Sequence, residues 1–231
     1  EPQVTFGRVF LRLLADRRDS VIDPRAGWQA ELRLELANRV FAGPLFSDAK
    51  SFWRVLPSMR GYLPLGAPLE LRLDEDQTIG GPFVLAASAS YGVAHPYGSR
   101  DVGAEALPGT ETFAFGGDQS VRGMSDGASR AGYPVPTYLL VVSGEVRYYA
   151  LQNFGFGTVE LAGFIDLGAV SYHLGDLFDS PTVSAGPAIR YVTPIGPLSM
   201  AYGWPLLRSA PSNDASCTAS TAQSVSAASA S

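Results

Sequence analysis

The chain is short of most of the residues that common chemistries need. Its 231 residues include one cysteine, Cys217, one lysine, Lys50, and two histidines, His95 and His173. A single cysteine forms no internal disulfide, and no zinc-ligand spacing is present. Charged residues are 17% of the chain, against roughly 25% in an ordinary soluble domain. The seventeen basic residues are scattered, with only Arg17 and Arg18 adjacent, so no basic patch points to nucleic acid. No run of about 20 apolar residues exists, which excludes a helical membrane bundle. The longest uncharged stretch, Gln77 to Ser99, is broken by Gly80, Gly81, Pro82 and several serines. No Gly-x-Ser-x-Gly elbow and no His-Glu-x-x-His pair is present, so no enzyme and no cofactor is expected.

Glycine and proline are plentiful instead, 25 and 17 residues. So many breakers are incompatible with a helical bundle or coiled coil. The apolar residues that remain recur with period two. Trp28, Ala30, Leu32, Leu34 and Leu36 alternate with Gln29, Glu31, Arg33 and Glu35. Successive side chains of a strand point to opposite sides, so this segment has one greasy and one charged face. Val9, Leu11 and Leu13 oppose Arg8 and Arg12. Trp53, Val55, Met59 and Leu63 oppose Arg54, Ser58 and Arg60. Leu140, Val142, Val146 and Tyr148 oppose Ser143, Glu145 and Arg147. Val159, Leu161 and Ile165 oppose Glu160, Phe164 and Asp166. Strands are also expected at 83–93, 183–192 and 198–202, with a short extra hairpin around Leu69 to Asp74. The chain therefore reads as all-β, with about eight antiparallel strands. A long Gly/Pro-rich loop spans 95–137, and loops of that length are usually functional or disordered. Two architectures fit. A soluble sandwich buries its apolar faces against each other, whereas a membrane barrel turns them to lipid and its charged faces to a lumen. Charge on nearly every strand favours the barrel. Trp28, Trp53 and Trp204 would then be interface-belt aromatics rather than core.

Four motifs carry a resemblance. Phe115-Gly-Gly-Asp-Gln-Ser-Val-Arg-Gly-Met124 lies inside the long loop. It resembles the Val-Arg-Gly-Phe/Tyr loop of the BamA/TamA outer-membrane assembly barrels, the bacterial surface antigen family, with Met124 where an aromatic is usual. Asp19 to Gly27 is similar to that family's inter-strand turn. Gly163-Phe-Ile-Asp-Leu-Gly168 resembles its Phe-x-Asp-x-Gly strand. Ala185 to Leu198 is similar to its Arg-Tyr…Pro-x-Gly-Pro-Leu hairpin. The four occur in the family's order over about residues 5 to 207.

The resemblance implies the C-terminal half of a transmembrane barrel of about sixteen strands in the bacterial outer membrane, residues 1–208 here. Periplasmic POTRA repeats usually precede such a barrel, and the family's final strand has no counterpart from Ser209 onward. Residues 209–231, rich in serine and alanine, read as a disordered tail. The resemblance further implies that the long loop folds back into the lumen. Gly116, Gly117, Val121, Arg122, Gly123 and Met124 form its motif. Arg122 is expected to reach an acidic pair on the wall, Asp166 and Glu145, beside Gly168. The implied activity is non-catalytic insertion or translocation of unfolded outer-membrane or secreted polypeptides, in contact with outer-membrane lipids and with accessory assembly proteins recruited through POTRA repeats. A dedicated secretion transporter, a passive channel and the membrane anchor of a lipase are the alternatives.

Overall fold

A computed structural model of the chain describes residues 7–38, 41, 51–66, 71–72, 78–97, 107, 112–118, 120–125, 137–179 and 181–207. The tail 209–231, Leu69 and Leu73 of the extra hairpin, and much of the loop 95–137 lie outside these. The strands are β1 (Gly7–Asp16), β2 (Gly27–Asn38), β3 (Phe52–Gly66), β4 (Leu71–Arg72), β5 (Thr78–Ile79), β6 (Phe83–Pro96), β7 (Tyr138–Phe154), β8 (Gly157–Ser171), β9 (Thr182–Thr193), β10 (Gly196–Ala201) and β11 (Trp204–Leu207). All pairings are antiparallel, and the main path is β1-β2-β3-β6-β7-β8-β9-β10. These are the eight long strands read from the alternation. The extra hairpin is β4 paired with β5, which then joins β7. The sheet is open, with β1 and β10–β11 at its edges.

β10 and β11 follow one register along β9, from Gly196 opposite Thr193 to Trp204 opposite Ala185. The ladder pauses at Tyr202 and Gly203, opposite Pro187 and Gly186. Proline has no N–H to give to a ladder, so the pause is local chemistry rather than a change of strand.

The register lines up two kinds of row. Gln29, Arg60, Ser88, Ser143, Asp166 and Ser184 stand side by side across six strands. The adjacent row is Trp28, Gly61, Ala87, Gly144, Ile165 and Ala185. The apolar rows are the exposed ones: Ile165 is 54% and Leu161 47% exposed, while Asp166 and Glu160 are 0% exposed. A soluble sandwich requires the reverse, because burial of its apolar face is what holds it together. The sandwich reading is therefore overturned. A sheet with exposed leucine, isoleucine and tryptophan outside and covered carboxylates inside is stable only with hydrocarbon against its outer face. Trp28, Trp53 and Trp204 all stand on that exposed face.

The inner face is not uniformly polar. Near the long connections, Ala37, Phe52 and Ala94 form an apolar cluster with Leu56, Leu139 and Val170, and Leu107 and Phe113 of the long loop complete it. The loop thus has its own small core on the wall. Gly92 makes room for it, since a Cβ there would lie 2.7 Å from the Phe113 ring. The alternation of a wet lumen wall does not announce such a patch.

Candidate functional site

The site begins with a compact turn. Gly116, Gly117 and Gly123 all have positive φ, at 130°, 83° and 82°. Such angles are strained for residues with a Cβ and free for glycine. The turn closes on itself. The Gly117 amide donates to the Met124 carbonyl at 2.8 Å, and the Gly116 amide to Ser120 Oγ at 2.8 Å. This leaves Val121 buried against the wall and Arg122 reaching the sheet.

The wall that receives it is the motif Phe164-x-Asp166-x-Gly168 on β8. Alternation turns all three residues inward, and each has a distinct task. Asp166 takes Arg122 side-on: Nε donates at 2.9 Å and Nη2 at 2.9 Å, to the two carboxylate oxygens. The Arg122 backbone amide donates to the same carboxylate at 3.0 Å. Phe164 lies flat beneath the charge, with the guanidinium carbon 3.6 Å from the ring centroid. Such cation–π contact strengthens when water is excluded, to about 2 kcal/mol. Gly168 is empty so that the loop can fit: a Cβ there would lie 2.6 Å from Val121 Cγ2 and 2.7 Å from the Phe115 ring.

β7 supplies the rest. Glu145 Oε2 accepts from Arg122 Nη1 at 2.6 Å. Ser143 Oγ accepts from Nη2 at 3.2 Å and donates to Asp166 at 2.6 Å. Every guanidinium nitrogen has a partner. Arginine suits this role because its planar fork matches a carboxylate and it keeps its proton. Asp166 is fully covered, and Arg122 and Glu145 nearly so. Removing one partner from a buried, hydrogen-bonded pair costs about 3–5 kcal/mol, because the other charge is left stranded.

The structure brings together Arg122, Asp166, Glu145, Gly168 and the three motif glycines. Met124 is half-buried and closes the turn through its carbonyl. Sequence reasoning missed Ser143 as a bridge, although its inward register beside Glu145 could have signalled it. It also missed Gly203 between β10 and β11, where an added Cβ would lie 2.5 Å from the Arg122 carbonyl oxygen. The loop is therefore clasped between β7–β8 and the β10–β11 edge.

Glu145 continues into a second charged group. It accepts from Arg147 Nε at 2.7 Å and lies 3.8 Å from Arg190, which lies 3.4 Å from Glu160. Among the described residues, no group of three or more metal-ligating side chains occurs. Ion pairs and hydrogen bonds thus join the loop to the wall.

The Omp85 superfamily domain matches residues 8–219. No curated protein matches significantly. Among solved structures, the chain is similar to BamA of Haemophilus ducreyi, crystallised without POTRA domains 1–3. The TM-score is 0.62 at 18% identity, over 87% of this chain and 39% of that one. The chain thus spans well under half the length of the relative whose fold it shares. Matched over most of its own residues, and with the fold matched separately, the chain belongs to the Omp85 superfamily and is part of a β-barrel of the bacterial outer membrane.

Proposed function

We propose that the full-length protein containing this chain inserts β-barrel proteins into the outer membrane, or passes polypeptides across it, without catalytic chemistry. The observation that carries this reading is the Arg122 lock. A loop pinned to the wall by a fully partnered guanidinium supports a barrel whose interior is an ordered part of the machinery. Its partners are unfolded outer-membrane or secreted polypeptides and the surrounding lipids, with accessory proteins docking through POTRA repeats elsewhere in the protein. Two physical effects would do the work. An exposed strand edge offers backbone hydrogen bonds to an incoming strand. A short apolar belt thins the bilayer beside it and lowers the barrier to insertion. The test is reconstitution of the full-length protein in liposomes with an unfolded barrel substrate. The reading predicts faster substrate folding than in protein-free liposomes, and slower folding with Arg122→Ala. Equal rates with and without the protein contradict it.

A further inference from the structure

The β1–β2 connection, residues 17–26, makes contacts that a surface turn has no need of. It is stiff. Asp19 Oδ1 accepts from the amides of Ser20, Arg25 and Ala26 at 3.0, 3.0 and 3.1 Å. Ser20 Oγ accepts from the Asp23 amide at 3.1 Å, and Pro24 is buried. The turn holds its shape and presents Asp23 and Arg25.

These two side chains land on β7. Tyr149 Oη donates to Asp23 Oδ1 at 2.7 Å, across 126 residues of sequence. Arg25 covers the Tyr149 ring at 4.0 Å and pairs with Asp23 at 3.2 Å. To reach β7 the turn passes β3 and β6, about 14 Å at the usual ~4.8 Å between strands. Tyr149 is wholly covered, although it faces the inside of the sheet. It lies near the short turn 155–156, at the end opposite the long loop. The β1–β2 turn therefore lies over the mouth of the lumen on the short-turn side, which in such barrels faces the periplasm.

The docked turn also reaches β8. The Asp23 carboxyl lies beside that of Glu160 on β8, which is fully buried. Neither Glu160 oxygen accepts a hydrogen bond among the described residues, and Arg190 stands 3.4 Å away. One hydrogen bond, one ion pair and one stacked arginine hold the turn on β7.

We propose that the β1–β2 turn is a latch that shuts the short-turn mouth of the lumen by docking on Tyr149 and Glu160, separately from the Arg122 loop.

The test is channel recording from the full-length protein in planar lipid bilayers. Loss of a hydrogen bond to a charged group predicts a roughly tenfold rise in the open-to-closed ratio for Tyr149→Phe or Asp23→Ala. Heat-shifted gel mobility reports whether each variant is folded. A second arm combines Asp23→Cys with Glu160→Cys in a Cys217→Ser background. Openings are expected to be frequent before bridging with a short bifunctional maleimide, and to fall to the wild-type level after it. Wild-type openings in folded Tyr149→Phe and Asp23→Ala, or openings unchanged by bridging, overturn the latch. Substrate folding in liposomes is a separate readout, so failure of the latch and failure of the assembly reading are distinguishable.

Discussion

Gly168 lies directly against Val121, and a single added methyl there would come within 2.6 Å of Val121 Cγ2. The loop and the wall thus meet by shape as well as by charge, two residues from the Asp166 carboxylate.

Gly168→Ala should loosen the loop even though every ionic partner remains. Overpacking of a close contact costs about 1–3 kcal/mol. Limited proteolysis of the loop in the folded, detergent-solubilised full-length protein would read this. Cleavage should speed up in Gly168→Ala and fall back only in part in Gly168→Ala with Val121→Ala, because the Phe115 ring stands nearly as close to the new methyl. Equal acceleration in both variants would show that the fit to Val121 is not the cause.

The outward row makes the opposite prediction. Ile165→Arg places a charge on the apolar face between two inward residues, Phe164 and Asp166. On the lipid side of a barrel this costs about 2–4 kcal/mol near the bilayer midplane. Ser88→Arg, one strand pairing from Ser143 in the inward row, should cost far less. Equilibrium unfolding in lipid vesicles compares the two. A similar cost for both would mean that the outward face is not in hydrocarbon.

Much of this arrangement is legible in the sequence, and the boundary is physical. Period-two alternation marks the strands and assigns Glu145, Phe164 and Asp166 to one face, because side-chain direction is a local property. The Arg122 partners follow from motifs. The apolar cluster of Phe52, Leu56, Leu107 and Phe113 does not, because inward apolar residues look the same whether they meet a loop or water. The docking of Asp23 on Tyr149 is also invisible. It depends on how a ten-residue connection folds over two intervening strands, and no local pattern encodes that.

The β1–β2 turn carries a pH dependence of its own. Partial burial pushes the Asp19 carboxyl up, but amides of Ala26, Arg25 and Ser20 outweigh it and hold it below its usual value. A lowered native value contributes stability that is present above the unfolded carboxylate value and is lost as pH falls through the native one. Protection of the Ser20, Arg25 and Ala26 amides, the slowing of their exchange relative to the unstructured chain at the same pH, should therefore fall below about pH 4. Asp19→Asn keeps an acceptor oxygen but has no proton to gain, and should show no such step. A step that survives in Asp19→Asn would assign it to another group.

The claim that Arg122 and Asp166 lock the loop to the wall is tested most directly by a double-mutant cycle in the full-length protein. Arg122→Ala, Asp166→Ala and the pair would be compared by equilibrium unfolding in vesicles, with loop proteolysis alongside. Arg122→Ala strands the buried Asp166 carboxylate and should cost about 3–5 kcal/mol, whereas Asp166→Ala leaves Arg122 its Glu145 partner and should cost less. The double variant removes both members of the pair and leaves Glu145 on Arg147, so its cost should fall short of the sum by about 1–3 kcal/mol. Additive costs, with the loop as protected in both single variants as in the wild type, would contradict the lock.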